Sequence, residues 1–206
     1  MLLSFLVWDT DWFYPVKLFT VMLHEVSHGL AAWFSGGMVK EIQVTMQLGG
    51  NCIIEGGNQS VIASVGYPGS LLAGAGLYYS AFRPHMRRYF SFFLAVLLLL
   101  FMSMYVRDTF GILSVLGTSA MFLFLPMALP EKAAGYYSRI TGSLVLAYCI
   151  IDMKNDFFAA SSGVSDIQVL ASGGIVHPFI LSLFYIILAA AVVLLAVRYS
   201  PGPHSL

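Results

Sequence analysis

Charge is what this chain has least of. Asp, Glu, Lys and Arg make up 10% of its 206 residues, against roughly a quarter in a soluble domain. The ten basic and ten acidic residues cancel to a net charge of zero. No single-sign field is left to attract nucleic acid, and none is expected as a partner. Cysteine is nearly absent too. Cys52 and Cys149 fall in separate segments, which gives neither a disulfide framework nor a thiolate metal site. A basic leader is missing: Asp9 and Asp11 follow a very short apolar run. No cleavable signal is evident, and the first spanning helix is expected to serve as the targeting element. Neither a soluble domain nor an internal repeat is legible.

What is present is apolar. Hydrophobic residues make up 59% of the chain and mean hydropathy is +0.83. This composition describes a single integral membrane domain over residues 1–206, in contact with the lipid bilayer throughout. A spanning helix needs about 20 mostly apolar residues. Segments of that kind run roughly from Pro15 to Phe34, Val61 to Ala81, Tyr89 to Val106, Phe110 to Leu129, Ile140 to Phe158 and Ile175 to Tyr199. The expected fold is therefore all-α and polytopic, with about six transmembrane helices. Met1 to Val7 is too short to span, and it suits the interface along with Trp8, Trp12 and Tyr14.

Val39 to Glu55 breaks the pattern. Ile42, Val44, Met46 and Leu48 alternate with Glu41, Gln43, Thr45 and Gln47, the period of a strand with one apolar face. Gly49-Gly50-Asn51 is turn chemistry and Cys52-Ile53-Ile54 a return strand. A short β-hairpin at the membrane face is expected after the first helix. Gly66, Ser70 and Gly74 form a small-residue stripe that admits a neighbouring helix. Arg83 to Arg88 and Pro130 to Ser138 read as loops. Lys17, Arg83, Arg87, Arg88, Lys132, Arg139 and Arg198 gather on one side of the layout. By the positive-inside rule both termini are cytoplasmic.

The chemistry begins at His24-Glu25-Val26-Ser27-His28. In an H-E-x-x-H motif on a helix, the two imidazoles lie one turn apart on one face and can share a metal ion. The glutamate beside them can act as general base. The motif falls near the middle of a spanning segment, where an ionisable residue costs about 2.5–3.5 kcal/mol. Polar groups kept at such depth face a bundle interior and carry function, or they hydrogen-bond neighbouring helices as polar glue.

Zinc hydrolases use three protein ligands and leave a fourth position to water. Asp152, flanked by Tyr148, Cys149, Ile150, Ile151 and Met153, is the deepest carboxylate and the preferred third ligand. Asp156, one turn on, is the alternative. Asn155 could orient a ligand or a substrate carbonyl. His177 before Pro178 reads as interfacial, His85 and His204 as solvated. Asp166 in Ser165-Asp166 reads as a helix or turn cap.

These residues resemble a known family. Leu23 to Gly37 (LHEVSHGLAAWFSGG), the Gly-rich hairpin and Gly66-Tyr67-Pro68-Gly69-Ser70 look like the site-2 protease superfamily, and within it the small peptidase-M50B-like branch. That branch carries a later helical aspartate and then a loop Ser-Asp, which Ile151-Asp152-Met153 and Ser165-Asp166 match. The similar core spans about residues 15–166. The resemblance implies an intramembrane zinc metalloprotease with His24, His28 and Asp152 on Zn2+ and Glu25 as the catalytic acid/base. Its partners would be membrane proteins or peptides cut within the bilayer. Two departures stand out: Ser27 replaces the usual glycine, and Asp152 lacks a Leu-Asp-Gly setting. The competing readings are a catalytically inactive pseudoprotease that binds membrane clients and a small metal or ion transporter, though the chain lacks the repeat many transporters show.

Overall fold

The computed structural model describes residues 11–159, 165–172 and 177–198. A 3-10 turn, Asp11–Phe13, leads into α1, Tyr14–Phe34. Two strands follow, β1 (Gly37–Val44) and β2 (Gly50–Gly56). The remaining helices are α2 (Gln59–Ser80), α3 (Pro84–Tyr105), α4 (Thr109–Ala128), α5 (Glu131–Ala159), the short α6 (Asp166–Ser172) and α7 (Pro178–Arg198).

Four of these helices, α2, α3, α4 and α7, are long and apolar enough to cross a membrane. Their outward faces carry exposed Leu72, Phe92, Phe93, Leu100, Leu113, Phe124, Ile187 and Leu194. A soluble protein avoids such extensive apolar surface, whereas lipid accommodates it. α1 and α5 are as long but more polar: Lys17, His24, Glu25 and His28 lie on α1, and Glu131, Lys132, Arg139, Asp152 and Lys154 on α5.

Local chemistry sets the ends. Pro15 lies in the first turn of α1, where its missing N–H costs nothing. The Asn58 side chain accepts from the Val61 N–H at the start of α2, and Asp108 accepts from Gly111 N–H at the start of α4. Two stretches that read as loops are helical. α5 starts at Glu131 because the Pro130 carbonyl takes the Ala134 N–H. α3 starts at Pro84, and Arg87 is buried there, donating to the Ala81 carbonyl.

The hairpin doubles back along α1. The Tyr14 hydroxyl, at the start of α1, donates to the Met46 carbonyl at the hairpin tip. The lengths agree: eight strand residues cover about 26 Å and a 21-residue helix about 31 Å. The strands pair antiparallel from Gly37↔Gly56 to Val44↔Gly50, with a register shift between Val39 and Glu41. That shift lets Val39, Ile42 and Val44 all bury despite their odd spacing. The turn is Thr45 to Gly49, with Leu48 at φ 62°, so Gly50 already belongs to β2 rather than to the turn.

α1, α2 and α5 form the middle of the bundle, and the small-residue stripe on α2 explains how. A Cβ on Gly142 of α5 would strike the Tyr78 backbone N, and it would stand 2.7 Å from the Gly74 carbonyl oxygen. The Cys149 thiol, further along α5, donates to Ser70 Oγ at 3.2 Å. Gly66, the last member of the stripe, turns to α1 instead.

Candidate metal centre

His24 and His28 lie on the inner face of α1, ring centroids 4.6 Å apart. Space for them comes from α2. A Cβ on Gly66 would stand 2.5 Å from His24 Nε2 and 2.6 Å from His28 Nε2. Any residue but glycine there would push both rings. One turn away Gly69 makes the same room for Ser27, whose hydroxyl a Cβ would strike. Ser27, where the resembled family has glycine, is thus accommodated by a glycine on the facing helix. The Tyr67 ring meets the His24 ring edge-on, centroids 4.7 Å apart.

The carboxylate that reaches both histidines is Asp166. Its Oδ2 stands 2.8 Å from His24 Nε2 and 3.0 Å from His28 Nε2. Among the described residues, the ligand atoms of His24, His28 and Asp166 all lie within 4.8 Å of one another. Asp152, the residue preferred from sequence, lines the same cavity but is not in that cluster. The Asp156 and Asn155 side chains lie outside the described residues.

The reading of Ser165-Asp166 as a cap is half right. Ser165 is the cap: its hydroxyl accepts from Gln168 N–H and its carbonyl from Val169 N–H. That leaves Asp166, the first residue of α6, free to turn its carboxylate into the site. A Ser-Asp pair holds two capping residues where one cap is needed, a signal that the second has other work. His177 is exposed, and its Nδ1 accepts from Phe179 N–H at the start of α7. His85 is exposed, and His204 lies outside the described residues.

The donor set asks for a cation. His28 Nδ1 donates to the Ile62 carbonyl at 2.7 Å, which fixes the proton there and turns the Nε2 lone pair toward Asp166. A lone pair and a carboxylate oxygen 3.0 Å apart repel unless a proton or a metal ion lies between them. Two donors at about 2.1 Å from one zinc ion sit about 3.4 Å apart in a tetrahedron, so each contact between Asp166 and a histidine would lengthen by about half an ångström to admit one. Two imidazoles and a carboxylate are a donor set zinc accepts, and the carbonyl that holds His28 Nδ1 is the usual support for such a ligand. With protons in place of the ion, burial pushes the Asp166 carboxyl up. Its hydrogen bonds and the charge of both imidazoles outweigh that and hold it well below the usual carboxylate range.

Glu25 is buried beside the histidines and faces the hairpin. A Cβ on Gly50 would fall on its Oε1 and stand 2.8 Å from its Cδ. The first residue of β2 is therefore the roof of the glutamate. Gly50, Asn51, Cys52, Ile54 and Gly56 of β2 line one cavity with His24, Glu25, His28, Asp152 and Asp166, of about 640 Å³. Burial, with the Glu25 charge adding, pushes the Cys52 thiol up, and Cys52 is not among the clustered ligand atoms.

A family model described as Peptidase M50B-like matches residues 1–197 of the chain. No curated protein and no solved structure matches it.

Proposed function

The chain belongs to the Peptidase M50B-like family, and from that membership and the site we propose that it is an intramembrane zinc metalloprotease. In this reading His24, His28 and Asp166 are the zinc ligands, and Glu25 is the catalytic acid/base. The observation that carries the reading is the meeting of the three ligand atoms within 4.8 Å, one residue from a buried glutamate. Zinc held there would supply a Lewis acid for the scissile carbonyl and bring the pKa of a water to about 7. Glu25 takes the proton of the attacking water and hands it to the leaving amine. Water reaches the residues through the cavity. A helical substrate hides its amides, and β2, paired on one side only among the described residues, offers its other edge to an unwound segment of a membrane protein as an added strand.

The reading includes six spans, with α1 and α5 crossing beside the four apolar helices. The polar residues of those two helices face the cavity or the ends of the bundle. Arg83, Arg87, Arg88, Lys132, Arg139 and Arg198 then share a side with both termini, which the positive-inside rule makes cytoplasmic. Cysteine-accessibility mapping of both ends in sealed vesicles tests that orientation.

The decisive variant is Glu25→Gln, which keeps shape and removes the base. Purified in detergent or liposomes, it is expected to bind zinc as wild type does and to cleave a membrane client about 10²–10⁴-fold more slowly. Undiminished cleavage by that variant ends the mechanism. Zinc bound by wild type without cleavage of any client leaves a client-binding protein instead.

A further inference from the structure

Pro68 sits inside α2 and has no N–H to give the carbonyl four residues back. That carbonyl belongs to Ser64. The Tyr185 hydroxyl of α7 donates to it at 3.0 Å, across 121 positions of sequence. Tyr185 is 4% exposed, and its ring lies 5.8 Å from that of Tyr67, which in turn meets His24. The short helix α6 that carries Asp166 packs on both α2 and α7.

We infer that Tyr185 is a positioning residue for the metal centre: its hydroxyl takes the carbonyl that Pro68 frees, and so docks the α6–α7 unit where Asp166 reaches His24 and His28. Two of the three ligands sit on one rigid helix turn. The third arrives on a seven-residue helix too short to hold its own place, since isolated helices under about 12 residues are marginal. Something must register it against α1. An unpaired helical carbonyl is a costly group in an apolar bundle, and the buried hydroxyl that reaches it ties the two helices at one place. The proline break is thus a socket, and the tyrosine is the plug. The inference rests on the ion reading of the site, but its docking step can be followed without any ion.

The test uses the full chain in detergent with Cys149→Ala, which leaves Cys52, inside the cavity, as the sole thiol. The first readout is the rate at which a water-soluble maleimide labels Cys52 in metal-free protein. The second is zinc affinity by chelator competition. Tyr185→Phe is expected to label severalfold faster and to bind zinc about tenfold more weakly, the effect of losing a bond that holds a ligand in place. Pro68→Ala, which returns a helical N–H to Ser64, is expected to do the same. The double variant should be no worse than the worse single one, because both remove one bond. A tyrosine that only stabilises the fold would lower the apo melting temperature and leave both readouts of the folded protein unchanged. Labelling of Tyr185→Phe at the wild-type rate overturns the docking role, as does full additivity of the two variants. Faster labelling in a protein whose wild type takes no zinc supports the docking and ends only the ion reading.

Discussion

Two regions offer an aspartate to the same cavity, and they are built in opposite ways. Asp152 lies on α5, the 29-residue helix wedged against the small-residue stripe of α2. Asp166 lies at the first residue of a seven-residue helix that owes its place to its neighbours. A cost argument ranks Asp152 first, because it is deep in an apolar span. Geometry ranks Asp166 first, because its oxygen stands within 3.0 Å of both imidazole nitrogens. The lesson is that burial says a charged residue has a purpose, whereas only convergence says which. A long helix cannot rotate one side chain inward without moving a whole face. A short helix can be placed to suit a single residue.

Asp166→Asn breaks the comparison most sharply. The amide keeps the volume and removes the charge that balances two metal-facing imidazoles. Zinc affinity is expected to fall by more than about 100-fold, beyond what loss of a hydrogen bond that only orients a ligand costs. Metal content of the purified variant, read by atomic absorption, checks it. Retention of stoichiometric zinc would remove Asp166 from the ligand set.

Gly66→Ala comes next, since it strikes both histidines at once. The added methyl would stand 2.5 and 2.6 Å from the two Nε2 atoms, and neither ring can retreat through α1. Overpacking of this kind costs about 1–3 kcal/mol. Thermal unfolding should show that loss, along with weakened zinc binding. Gly74→Ala, on the same stripe but against Val145 and Leu146, should cost stability without touching zinc affinity.

Ser165→Ala probes the short helix itself. The Ser165 hydroxyl takes the Gln168 N–H at 3.3 Å, and loss of such a cap costs about 1 kcal/mol. On a helix held by its neighbours, that cost is expected to appear as at most about a fivefold drop in zinc affinity. Global unfolding should barely move.

What was legible in the sequence follows the same division. The H-E-x-x-H pair, the alternating hairpin strands and the small-residue stripe are local patterns, and each appears in the structure near where its spacing puts it. The hairpin was legible as strands but not as a fold-back, because the bond from Tyr14 to Met46 joins residues with no pattern in common. Asp166 was legible as a capping residue and as part of a loop Ser-Asp that the resembled family carries, but not as a ligand. Its role depends on α6 meeting α1 across 142 positions, and no periodicity encodes that meeting. The Ser64 carbonyl is a similar case: Pro68 announces an orphan acceptor in the sequence, but nothing nearby announces Tyr185.

The smallest expected effect belongs to Asp152→Asn, and it is the one that sharpens the comparison. Asp152 lines the cavity but is not one of the three clustered ligand residues, so its charge is expected to bear on the site without a bond to the ion. Removing that charge should leave zinc affinity within about threefold of wild type. It should change the cleavage rate by less than about tenfold, the equivalent of 1.4 kcal/mol. The variant is measured beside Asp166→Asn, in the same preparation and with the same chelator. A helix as firmly packed as α5 makes Asp152→Asn an unlikely source of misfolding, so a difference between the two variants reads directly on the ligand set. If Asp152→Asn strips the zinc and Asp166→Asn keeps it, the two aspartates exchange roles, and the deeper residue is the ligand after all.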